Sequence, residues 1–254
     1  MTRTQRRTNF NSSRLIQMLA DLALLDAPEP KFAFAEKLGQ WVDFVSANTL
    51  SSALSAITVS PKGGTSASQP ATLAEELVRT RTKLENSITK SFAQQAASAR
   101  REPSFAKPGK PFDVASAYLP FRRNYLAHQR DMDLSIRPLR ANAREALARS
   151  SPALRKLAVL DATLESILND RESKLLATLA SLLEKRFARL FKSHQQELTD
   201  TQQADNPGLW MEPGGWLARF CTELQTVLLA ELDLRLQPVV GLIETFNNEK
   251  PKPP

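Results

Sequence analysis

The sequence predicts an all-α protein, an elongated helical bundle built from antiparallel helical hairpins and joined by flexible linkers. Three observations predict it. Ala, Leu and Arg are prominent in a chain with only 8 Gly and 7% aromatic residues, a composition of helices rather than sheets. Apolar residues recur at steps of three and four along most of the length. Stretches rich in Pro, Gly and Ser separate these periodic segments. With 254 residues, 42% hydrophobic and 24% charged, the chain is long enough to bury a substantial core.

Residues 1–59 read as an N-terminal helical part with a basic arm. Asn11, Ser12 and Ser13 offer N-caps for a short helix through Leu15, Leu19, Leu22 and Leu25, which Pro28 and Pro30 end. A second helix from about Lys31 to Ile57 carries Phe34, Leu38, Trp41, Val45, Leu50 and Leu54. Residues 60–70, SPKGGTSASQP, have the composition of a flexible linker. An amphipathic helix follows over 71–100, with Leu73, Leu77, Leu84 and Ile88 on one face, and a Pro-rich linker over 101–112.

The remainder, 113–247, reads as the helical core domain, with a disordered tail at 248–254. Its first helix sets Tyr118, Phe121, Tyr125, Met132, Ile136, Leu139 and Ala143 on one face, and Pro138 predicts a kink near 134–138. Ser151 followed by Pro152 is a cap-then-proline helix start, leading to Leu157, Leu160, Leu164, Ile167 and Leu168. Asn169 and Asp170 then predict a turn or frayed joint, so that the next helix, with Leu176, Leu179, Leu183, Phe187 and Leu190, folds back as a hairpin on its predecessor. The last helix, from about Gly215, is apolar over much of its surface, from Leu217 and Phe220 to Ile243, and is expected at the centre.

Opposite the apolar face of the first core helix, Arg123, Arg130, Arg137 and Arg144 recur every seven residues, a stripe of about 31 Å that drifts about 20° per heptad. The eight basic residues from Arg122 to Arg155 are all arginine, whose forked guanidinium binds carboxylate or phosphate in bidentate fashion. The net charge of +7 is segregated: residues 113–149 hold seven arginines against four acids, and 195–254 hold nine acids against four bases. The stripe therefore has three readings: a solvated or internally paired face, a seat for an acidic protein surface, or a nucleic-acid contact. For the last, Arg3, Arg6 and Arg7 would add a basic arm. Trp210 and Trp216, in a Gly/Pro-rich connection, are either a docking surface or a pin holding the loop to the core.

His128 with Asp131 and Asp133 could be drawn as metal ligands or an acid–base pair, but His128 falls on the apolar face and no Cys, His or Glu cluster completes a zinc-like set. No GxSxG, P-loop, GxGxxG or CxxC motif occurs, and Lys62-Gly63-Gly64-Thr65 follows no strand. Neither metal nor cofactor is implied, and no enzymatic activity is expected. The lone Cys221 sits in an apolar helical pattern and suits a reducing cytoplasm. No apolar run approaches the roughly 20 residues that span a bilayer. Asp21 and Asp26 break any secretory signal pattern.

The stretches FRRNYLAHQRDMDLSIRPLRANAREALA (121–148), SPALRKLAVLDATLES (151–166), LLATLASLLEKRFARL (175–190) and GGWLARFCTELQTVLLAELDLRLQPVVGLIE (214–244) resemble an uncharacterised proteobacterial family of unknown function. The resemblance brings no reaction and no catalytic residues. It implies an accessory to an envelope-linked bacterial complex. Together these observations lead to a helical adaptor or scaffold that binds a protein partner through the arginine stripe, with self-association through its long helices as a further expectation. Nucleic-acid binding is the alternative.

Overall fold

The structure, a computed structural model, describes residues 14–22, 44–55, 70–101 and 113–249. The described residues form α1 (Arg14–Asp21), α2 (Phe44–Ser55), α3 (Pro70–Arg101), α4 (Val114–Ser150), α5 (Pro152–Thr201) and α6 (Trp216–Asn248), with a short 3-10 turn at Pro207–Leu209. The basic arm, the linkers at 60–69 and 102–112, most of the helix expected over 31–57 and the tail from 250 lie outside them.

Four long helices make an up-down-up-down bundle. α3 runs antiparallel to α4, as Asn124 reaching Ser91 and Asn142 reaching Glu76 show. α4 and α5 are antiparallel through Arg140–Asp161 and the Gln129 amide donating to the Leu176 carbonyl. α5 and α6 are antiparallel through Arg186–Glu223, and α6 returns against α3 through Arg81–Asp233. α4 and α6 are parallel and pack on each other across the bundle, with α3 and α5 on its flanks. α1 lies on α6, setting Leu15 and Leu19 into the core, and α2 lies on α5.

The helix starts follow from local chemistry. Asp113 caps α4, accepting from the Ala115 amide and the Ser116 hydroxyl. Ser151 alone joins α4 to α5: it ends the first, and its hydroxyl accepts from the Leu154 amide to start the second, with Pro152 in the first turn. At α6 no side chain caps the helix; the Trp210 carbonyl accepts from the amides of Leu217 and Ala218 at 3.1 and 3.0 Å. That approach requires Gly215, where a Cβ would stand 2.3 Å from the Trp210 oxygen, and Gly214 at φ +92°.

The core faces expected of α4 and of the second half of α5 are borne out, whereas Leu157, Leu160, Leu164, Ile167 and Leu168 are only half-buried. Tyr118, Phe121, Tyr125, Met132, Ile136, Leu139 and Ala143 of α4 are buried, as are Leu176, Leu179, Leu183, Phe187 and Leu190 of α5. One end of the bundle is aromatic, with Phe187 and Phe220 edge-on at 5.0 Å and Phe121 and Phe220 at 5.4 Å. Pro120 and Pro138 lie inside an unbroken 37-residue α4.

The joint expected at Asn169–Asp170 does not exist. α5 is one helix of 50 residues, and the hairpin it makes is with α4. Asn and Asp each cost under about 1 kcal/mol inside a helix, too little to break one that a neighbour holds along its length. Residues 159–175 of α5 are nevertheless less embedded, with no buried side chain between Ala158 and Leu176.

Candidate functional site

The arginine stripe does not stay on one face. Arg123, Arg130 and Arg137 are exposed, whereas Arg144 turns inward beside Arg140 against α5. There Arg140 holds Asp161 through two nitrogens at 2.6 and 2.9 Å, and Arg144 holds Glu165 at 2.6 Å. Drift of about 20° per heptad explains the split: three heptads carry Arg144 about 60° from Arg123, onto the flank that α5 covers. The partner-binding set therefore loses Arg144, whose carboxylates come from α5 rather than from the acidic C-terminal region. That region does pair with other basic residues: Glu223 with Arg186 and Arg219, and Asp233 with Arg14 and Arg81.

Along the outward face the arginines alternate with small or apolar residues. Ala127 and Ala141 are exposed, and Leu134, between Arg130 and Arg137, is 75% exposed, the most exposed large hydrophobic residue described. Pro138 follows on the same side and has no N–H to give the Leu134 carbonyl. Arg137 touches Asp133 at 3.1 Å, one turn back, with both side chains more than half exposed; such pairs are worth under about 1 kcal/mol. Arg123 and Arg130 carry no hydrogen bond or ion pair among the described residues.

Behind this face lies a buried polar network that sequence reading did not find. Glu231, fully buried in α6, accepts from the Tyr125 hydroxyl at 2.5 Å and from the Gln129 amide at 3.0 Å. Arg235, one turn on, gives it two nitrogens at 2.9 and 2.8 Å. Arg235 also comes within 3.7 Å of Asp133, and together with Gln129, Arg130 and Ser173 it lines a cleft of about 260 Å³ between α4 and α5. Burial, followed by the charge of Glu231 and the hydrogen bond to it, holds the Tyr125 hydroxyl well above its ordinary range. The network ties α4 to α6 through Tyr125 and Gln129. A carboxylate at 231 with Leu228 and Leu232 around it was the available signal, but charge on an apolar face is easily read as its edge.

Trp210, Trp216, His128 and Cys221 are buried. Trp210 and Trp216 are 4% and 7% exposed, and pack against each other at 5.4 Å and on Phe191 and His194. The Trp210 indole N–H donates to Asp205 at 2.8 Å, and His194 shares the same oxygen at 3.0 Å. They hold the connection to the core, and with His194, Leu209 and Arg219 they also line a cleft of about 380 Å³. His128 is buried on α4 with Nε2 2.7 Å from the Ser91 hydroxyl, which also bonds the Ile88 carbonyl. Burial lowers its pKa, with exposed Asp131 pulling the other way. Burial pushes the Cys221 thiol up to about 12. Among the described residues no group of three or more His, Cys, Asp or Glu could hold a metal ion, and no helix is long and apolar enough to cross a membrane. Arg3, Arg6 and Arg7 lie outside the described residues.

The described residues define an all-helical bundle protein. The chain belongs to the family described as protein of unknown function (DUF3348), whose family model matches residues 1–248. No curated protein and no solved structure matches it at a significant level.

Proposed function

We propose that the protein is a non-enzymatic helical adaptor of the cytoplasm that seats an acidic protein surface on Arg123, Arg130 and Arg137. The observation that carries this reading is the division among the arginines. Arg140, Arg144, Arg186 and Arg235 are half-buried on carboxylates, whereas Arg123 and Arg130 face outward with no carboxylate on their forks among the described residues. Arginine's planar fork loses less freedom per hydrogen bond than a lysine would, and a row of like charges speeds encounter with a carboxylate-rich partner. A leucine at the centre of the row suits a protein partner better than a phosphate backbone, which offers it no apolar contact.

The test is capture of the tagged protein from its source cells, with and without nuclease, using wild type and the variant Arg123→Glu/Arg130→Glu/Arg137→Glu. The expected result is a nuclease-resistant set of proteins that the variant loses while its circular dichroism is unchanged. Bound material that disappears with nuclease would replace this reading with nucleic-acid binding. A partner set identical in both forms would remove the row from function. The partners retained would also decide whether the adaptor serves an envelope-linked complex.

A further inference from the structure

We propose that the partner element is itself an α-helix, acidic and amphipathic, laid along α4 with carboxylates at seven-residue intervals and its apolar side on Leu134. The inference rests on the acidic-partner reading above and names what kind of acidic surface fits. Exposed residues Arg123, Ala127, Arg130, Leu134, Arg137 and Ala141 succeed one another by steps of four and three. That is the spacing of a coiled-coil seam, and it runs about 27 Å along an unbroken helix.

The order of residue types within the seam is what selects a helix. Alanines at 127 and 141 leave room for a second backbone to come close, while Leu134, 75% exposed, is a single apolar anchor midway. Arginines at 123, 130 and 137 repeat at intervals of seven, so carboxylates would have to repeat at the same interval, which one face of a helix supplies and an extended strand does not. Of the three seam arginines, Arg137 has a carboxylate of the described residues beside it, Asp133, and the exposure of that pair lets an incoming acid replace it. The seam is half of a coiled coil whose charge complement lies on another molecule.

The probe is a fluorescein-labelled synthetic peptide of about four heptads, with Glu once per heptad, Leu at the seam and helix-favouring residues elsewhere. A control peptide has the same composition in scrambled order. Fluorescence anisotropy measures binding to the full chain, and difference circular dichroism measures helix gained on binding. The expected result is binding of the ordered peptide at least about tenfold tighter than the scrambled one, with added helicity and strong weakening by salt. Leu134→Ala and Arg130→Ala should each weaken it by about tenfold; both positions are exposed, so neither variant should alter the melting of the protein. Equal binding of the two peptides, lost in the arginine variants, would overturn the helix proposal and leave the acidic-surface reading standing. Binding of neither at low salt would overturn both.

Discussion

Replacing Glu231 with Ala tests the buried network directly. The carboxylate is fully buried and receives the Tyr125 hydroxyl, the Gln129 amide and two nitrogens of Arg235. Its removal leaves an Arg235 guanidinium that is 14% exposed beside no carboxylate nearer than Asp133, and a fully buried Tyr125 hydroxyl without its acceptor. Breaking a buried ion pair costs about 3–5 kcal/mol, and stranding a buried hydroxyl about 1–3 kcal/mol. Because the donors share one acceptor the two losses overlap, and the expected total is about 4–5 kcal/mol. For a bundle of this size that corresponds to a fall in Tm of about 8–20 °C. Urea unfolding followed by far-UV circular dichroism measures it. The triple variant Tyr125→Phe/Glu231→Leu/Arg235→Met removes every stranded group and should recover more than half of the loss. A loss below about 1 kcal/mol for Glu231→Ala would refute the reasoning, because it would mean that water already reaches these groups.

Three further predictions follow from the same physics. Arg144→Glu sets a third carboxylate against Asp161 and Glu165 and should cost about 3 kcal/mol, whereas Arg130→Glu on the open face should stay within about 0.5 kcal/mol, both read by urea unfolding. The chain's two tyrosines, Tyr118 and Tyr125, are both buried with their pKa values raised. Their contribution to stability is therefore complete below the unfolded value near pH 10 and is lost as pH rises above it. Tyrosinate absorbance should appear only together with unfolding, and tyrosinate in the folded protein near pH 10 would contradict the packing. His128 has a lowered pKa, so its contribution is complete above about pH 6.5 and is lost as pH falls through the folded value. His128→Gln should flatten the acid limb of the stability profile, and an unchanged limb would exclude that role.

Much of the bundle was legible because burial repeats with the helical period. Every residue named for the apolar face of α4, and for the face from Leu176 to Leu190, is buried. The length of α5 was not legible, because Asn169–Asp170 is a local preference and packing overrides it there. The arginine stripe was read at the right spacing, but the inward turn of Arg144 depends on where α5 lies, which heptad counting along one helix cannot supply. Glu231 escaped for a related reason. A buried carboxylate is recognised by its partners, and Tyr125 and Gln129 stand more than a hundred residues away in the chain.

The single-residue link at Ser151 also sets an order of assembly. Arg140 meets Asp161 across 21 residues, whereas Tyr125 meets Glu231 across 106. Closing the longer loop costs about 1.4 kcal/mol more entropy, before any helix of α6 exists to hold it. A folding order that follows sequence separation would close the α4–α5 hairpin before α6 is added. Arg123, Arg130 and Arg137 stay exposed on α4, whereas Arg140 and Arg144 face that hairpin's closing side. The seat proposed for an acidic helix would therefore be complete on α4 before the bundle's own core is closed.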